Sequence, residues 1–403
     1  MLKLGKSVTL IEKSGRLGGL MRAVRWEDYS VDLGQKQFYN RIPEVNTFLH
    51  ELLGENLRDF PCRIGVFYKG RIYERERKWR GALRGMPPHI LAAGMADMAW
   101  QRLRYGWKMK NSLQDVAWSQ KGRMFSRMFS QGFDEKLKCR SWAEVPAHEA
   151  ARAATAENGL VNQGHSGQDT WFHPTRGSGG LVDALCDRIL DLGGDIRLHT
   201  RVNRIFHRNH RIEGLEITSE AGTEILPVRH LAASMRLDFL ARLLDIPTPA
   251  SDARISFKRG VVLVYLYFDA PPAFDHTCLH VTCPGRRVGR ITNYAAYNCD
   301  MVPAGKACLA FELFCTREDP LFIASDEDLV ARVLHEFRHS GLTDFDRLEG
   351  HQVFRMPLGD PATSWKDYED PVRKKMYEEI AQMKNLYNVS RTGMDRTMHA
   401  AIH

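Results

Sequence analysis

Nothing in this 403-residue chain is long and apolar enough to cross a bilayer. The longest candidates, Gly260 to Phe268 and the broken run Ile90 to Trp100, fall well short of the roughly 20 residues a spanning helix needs. It also lacks internal repeats and low-complexity segments, which excludes solenoid and compositionally disordered classes. The eight cysteines are scattered without disulfide-scaffold spacing. Met1 to Lys6 carries no apolar core or small-residue cleavage site before the first strand-like segment. A reducing, cytoplasmic location is therefore expected. Metal-ligand patterns are wanting as well. In Cys278-Leu279-His280-Val281-Thr282-Cys283 the tempting ligands do not share one strand face, and His399 and His403 stand at helical spacing without a third ligand, so no metal is expected. Acidic residues are outnumbered, 49 against 57 Lys and Arg, and the net charge of +8 favours anionic ligands or surfaces without specifying a fold.

What is present reads as a large α/β chain, hydrophobic enough at 43% to bury a sizeable core. Met1 to Gly5 resembles the last turn of a helix, with Gly5 able to take the left-handed cap conformation. Ser7 to Ile11 is a short apolar strand ending in Glu12, suited to a parallel strand buried on both faces with its carboxyl end at a ligand crevice. In a dinucleotide-binding unit that acid takes the ribose hydroxyls about 20 residues after a glycine-rich turn, which places the turn upstream of Met1. Lys13-Ser14-Gly15-Arg16-Leu17-Gly18-Gly19 follows, where Arg16 can reach a pyrophosphate and Gly18 and Gly19 let backbone approach it. Asn40 to Thr155 is mixed and mainly helical, an insertion rich in Arg, Trp and Met. Further on come a helix with Val182, Leu185, Cys186 and Ile189 on one face, strands over 195–200 and 202–207, and a hairpin around Glu220-Ala221-Gly222. Long aromatic strands over 260–270 and 308–315 follow, then a helix capped by Ser325 and a helical stretch over 368–383.

Leu10-Ile11-Glu12-Lys13, Arg16, Gly18-Gly19 and then Val31-Asp32-Leu33-Gly34 together resemble the flavin-containing amine oxidase and protoporphyrinogen oxidase superfamily. Other blocks keep its order: Pro174 to Gly180 before a helix, Gly193 to Leu198 through Val202, Leu231 to Met235, and Asn385 to Asp395. The resemblance implies a Rossmann-like FAD-binding domain with an incomplete first βα unit. Beside it stands a second, α+β substrate domain with an antiparallel sheet and a helical insertion. It assigns 1–40, 165–240 and 345–403 to the first, and 41–164 and 241–344 to the second. The cofactor-binding residues it implies are Glu12, Arg16, Gly18, Gly19, Gly34, Val202 (whose backbone meets adenine), Arg391, Gly393 and Met394.

The implied activity is FAD-dependent hydride transfer from a C–H of a small-molecule substrate, with the flavin carrying the chemistry and no catalytic residue named. A UDP-galactopyranose mutase-like flavoenzyme is one alternative, needing an arginine pair for the diphosphate from Arg286, Arg287 and Arg290. A non-catalytic relative resembling GDP-dissociation inhibitors is another. Tyr265, Tyr267, Tyr294 and Tyr297 read as wall or core residues. The Arg-, Lys- and Trp-rich stretch Arg75 to Lys110 reads as solvated helix faces, with peripheral membrane contact as the competing reading and no nucleic-acid partner expected.

Overall fold

Strands rich in Val, Phe and Tyr pair into a seven-stranded sheet that organises the largest core of the molecule. The computed structural model describes residues 1–36, 38, 43–74, 86–106, 109–147, 170–248, 258–361 and 371–389. In spatial order the sheet runs Leu348–Pro361, Lys258–Phe268, Ala307–Thr316, Val288–Asn293, Cys278–Val281, Ile64–Tyr68 and Arg71–Glu74. Neighbours are antiparallel except Cys278–Val281 against Ile64–Tyr68, which are parallel.

Because successive side chains alternate faces, Lys258–Phe268 divides cleanly. Val262, Val264, Leu266 and Phe268 point into a core with Phe311, Leu313 and the Leu329, Val333 and Phe337 stripe of the helix Asp326–Phe337. Ser325 starts that helix, its hydroxyl accepting from Asp328 N at 3.1 Å. Val261, Leu263, Tyr265 and Tyr267 point the other way, onto Val24, Tyr29, Val31 and Leu33. Each such large side chain, taken fully out of water, contributes roughly 1.5–3 kcal/mol before entropy is charged against it.

The remaining sheets are small. Thr9–Ile11 pairs in parallel with Asp195–Arg197, and Leu231–Ala233 in parallel with Leu386–Asn388. Arg201–Arg208, Arg211–Ser219 and Gly222–Pro227 form an antiparallel meander. Its Ile205, Leu215 and Ile217 pack with Leu240, Leu244, Met376 and Ile380. Leu2–Leu4 is a single helical turn closed by Gly5 at φ 67, whose N–H bonds Leu2 O.

Two expectations change. Thr9–Ile11 is half-buried rather than buried on both faces, because among the described residues it has a neighbour on one edge only. The mainly helical insertion also supplies strands: Leu57–Pro61 pairs with Thr170–Pro174, and Ile64–Tyr68 and Arg71–Glu74 extend the large sheet.

Candidate functional site

Glu12 ends the strand Thr9–Ile11 at the carboxyl edge of the parallel pair, the edge at which ligands bind in open α/β sheets. Two backbone bonds fix its place, Glu12 N to Arg197 O at 2.9 Å and Thr200 N to Glu12 O at 3.0 Å. Its carboxylate turns back to accept Ser14 N–H at 2.8 Å through Oε1, and among the described residues nothing bonds the second oxygen. The turn after it is tight. His199 N bonds Ser14 O, and a Cβ on Gly15 would lie 2.6 Å from the His199 ring. Arg16 stands exposed on this turn with no partner for its guanidinium among the described residues. Val202, at the start of the first strand of the neighbouring meander, packs in the same apolar cluster as Ile11.

Gly18 and Gly19 both have left-handed backbone, at φ 95 and 51. Gly18 also lies so close to the helix Gly177–Asp191 that a Cβ would meet Val182 at 2.8 Å. Gly34, at φ 73, sits apart from these, over the large sheet, where its N–H bonds the Tyr265 hydroxyl at 2.8 Å and Leu263 and Met356 lie beneath it. The structure thus gathers Glu12, Arg16 and Val202 at the parallel pair, places Gly18 and Gly19 against the adjoining helix, and leaves Gly34 at the seven-stranded sheet. Arg391, Gly393 and Met394 lie outside the described residues, as do His399 and His403.

Beside Gly34 is a polar cluster that local sequence did not reveal. Asp32 and His173 are both fully buried, with His173 Nε2 2.9 Å from Asp32 Oδ2. The tautomer follows from Asn298. Its Oδ1 accepts from Asp300 N and its Nδ2 donates to Pro174 O, so the same Nδ2 donates to His173 Nδ1 at 2.9 Å and the ring hydrogen sits on Nε2, facing the carboxylate. Asp32 Oδ1 accepts from Ser178 N and Ser178 Oγ at 2.7 and 2.8 Å, so the carboxylate caps the start of Gly177–Asp191 from a distant strand. Burial alone would raise the Asp32 carboxyl, but the facing imidazole and the Ser178 donors outweigh it and hold it below its ordinary value.

The tyrosines are core residues, as read, but two also act as tethers. Tyr265 and Tyr294, both fully buried, donate to Asp32 O at 2.7 and 2.8 Å. Burial raises both phenols far above their usual range, so they remain protonated donors. The three candidate arginines diverge. Arg286 stacks over Phe67 and Phe337 on one side of the sheet, Arg287 pairs with Asp319, and Arg290 makes a two-pronged pair with Glu312 at 2.9 and 2.6 Å. Cys283 bonds the backbone of Lys69 and Phe67, and His280 stacks on Phe133 with ring centroids 3.7 Å apart.

Residues 1–375 match the flavin-containing amine oxidoreductase family. The chain belongs to that family. FAD is its cofactor, and the family's fold accounts for the paired architecture of small parallel strands and one large, mostly antiparallel sheet. Among solved structures, the chain is similar in fold to a reduced UDP-galactopyranose mutase, with TM-score 0.69 at 15% identity over 94% of this chain and 81% of that one. It is similar to a putative protoporphyrinogen oxidase from Exiguobacterium sp. 255-15 at TM-score 0.68, 17% identical over 95% and 88%. A putrescine oxidase bound to putrescine gives 0.61, 12% identical over 99% and 92%. No curated protein matches the sequence. The turn at Glu12 fits the adenosine end of such a cofactor: it offers an acceptor oxygen, a cation with no partner among the described residues, and glycine backbone without a Cβ in the way.

Proposed function

We propose that the chain is a FAD-dependent oxidoreductase that takes hydride from a C–H of a small-molecule substrate. The observation that carries this reading is the turn at Glu12, with its carboxylate at the carboxyl edge of the parallel pair and one oxygen unclaimed by described residues. Bound flavin supplies the hydride acceptance itself. Glu12 accepts the ribose hydroxyls, and Arg16 neutralises the pyrophosphate. Gly18 and Gly19 admit backbone close to the cofactor, and Val202 meets the adenine edge. Gly34, held by Tyr265, presents backbone toward the reactive ring, with the fully buried face of the large sheet excluding water behind it. Arg391, Gly393 and Met394 complete the flavin end in this proposal.

The spread of Arg286, Arg287 and Arg290 over different partners supports oxidation over a diphosphate-clamping sugar isomerase. The test is titration of the purified chain with FAD, followed by flavin fluorescence and by absorbance change on adding amines or a reduced tetrapyrrole. Saturable binding that Glu12→Ala weakens at least tenfold is expected, since charge-assisted hydrogen bonds contribute about 1.5–3 kcal/mol. A chain that binds no FAD, or whose affinity ignores Glu12, overturns the reading.

A further inference from the structure

His199 meets the Glu12 turn from the neighbouring segment in a conformation that residues with a Cβ disfavour. Its φ of 49 lies in the left-handed region. The backbone around it is laced to the turn: Glu12 N bonds Arg197 O at 2.9 Å, His199 N bonds Ser14 O at 3.2 Å, and Thr200 N bonds Glu12 O at 3.0 Å. Position 15 is adapted to the ring as well. A Cβ there would stand 2.6 Å from His199 Nε2 and 2.7 Å from Cε1, so only glycine leaves the imidazole where it is.

Two local restrictions thus hold an imidazole beside this turn, and the fold makes no visible use of it. Among the described residues the ring has no hydrogen bond, ion pair or aromatic contact, and His199 is exposed. Restrictions that stabilise nothing in the free protein belong where a ligand completes the arrangement. The position of the ring indicates which part of the ligand that is. Gly15 stands between Glu12, assigned above to the ribose hydroxyls, and Arg16, assigned to the pyrophosphate, so the ring borders the junction of sugar and phosphate. Lys13 and Arg16 are exposed on the same turn, and an imidazole N–H adds a short, rigidly held donor to two long, flexible cations.

We propose that His199 is a further cofactor contact, its imidazole N–H donating to the ribose-linked phosphate in the adenosine half of FAD. This rests on the reading of the Glu12 turn given above and deepens it. The test is titration calorimetry of the full chain with FAD, ADP and adenosine, on the unaltered protein and two variants. His199→Asn removes the ring and keeps a residue that tolerates left-handed backbone. Gly15→Ala keeps every polar group and pushes the ring aside. Each should weaken FAD and ADP about tenfold, the loss of one hydrogen bond to a charged group, and leave adenosine within about twofold. Combined, they should weaken binding no more than either alone, because both act through one ring. A ring that only fills space over Gly15 would lower the urea midpoint of His199→Asn and leave the ratio of ADP to adenosine affinity unchanged, which overturns the proposal. The underlying reading fails separately. Glu12→Ala should weaken adenosine as well as ADP, since both carry the ribose. If Glu12→Ala acts and His199→Asn does not, only the His199 assignment falls, whereas a chain that binds neither FAD nor ADP overturns both.

Discussion

His173 Nε2 lies 2.9 Å from Asp32 Oδ2 with neither side chain reached by water, joining two segments 141 residues apart. Around that contact Ser178, Tyr265 and Tyr294 converge on the same aspartate, so one residue ties together a strand, a helix start and the large sheet.

Replacing Asp32 with Asn should therefore be nearly as harmful as replacing it with Ala. Asn298 holds His173 with its hydrogen on Nε2, so an amide at position 32 must turn its own NH₂ either toward that donor or toward the Ser178 donors. A loss of about 3–5 kcal/mol is expected for either variant in urea unfolding, the cost of stranding one side of a buried pair.

The same carboxylate sets an acid limit. Its folded pKa is below the unfolded value near 3.9, so above that value the folded form is favoured, and the advantage disappears as pH falls through the folded pKa. Urea midpoints measured from pH 6 downward should hold level for this contribution and then drop below about pH 4. In Asp32→Asn the drop should be shallower.

Two glycines separate conformational strain from crowding. Gly177 and Gly193 have similar φ, 71 and 74, but a Cβ on Gly177 would stand 2.7 Å from Asp32 Oδ1, while around Gly193 there is open space. Gly193→Ala should cost about 1–2 kcal/mol from left-handed backbone alone. Gly177→Ala should cost clearly more by the same unfolding measurement, because it also pushes the carboxylate from its cap.

The tyrosine tethers should be unequal. Tyr265→Phe strands the buried Gly34 N–H as well as losing a bond to Asp32 O, an expected loss of about 2–3 kcal/mol. Tyr294→Phe leaves Asp32 O still bonded by Tyr265 and should cost about 1 kcal/mol. Thermal or urea unfolding that ranks them the other way would contradict this account of Gly34.

Local signals carried much of this. The apolar run into Glu12, the Gly5 cap, the hairpin at Gly222 and the Ser325 cap were readable because each depends on residues within a few positions. The pairing of Asp32 with His173 was not, since each looks locally like an ordinary polar residue in a strand and only the fold brings them together. A weak hint existed: a histidine and an aspartate inside otherwise apolar strands, followed in one case by Gly177-Ser178-Gly179. Gly177 and Gly179, read as part of a family block, are needed so that Asp32 and the Ala23 backbone can approach. Ile64–Tyr68 was hidden in a mainly helical stretch, though its Ile-Gly-Val-Phe-Tyr run has strand composition.

The seven-stranded sheet has a temporal side. Ile64–Tyr68 pairs at once with Arg71–Glu74 along one edge, but its other edge is closed only by Cys278–Val281, and the adjoining Thr277–Arg63 bond spans 214 residues. During synthesis an apolar strand must wait on the ribosome-bound chain for most of the polypeptide to emerge. Such long-range closure is slow and leaves sticky backbone unsheltered in the interval. The yield of native protein from a cell should accordingly respond more to growth temperature and chaperone supply than to any single contact in the finished molecule.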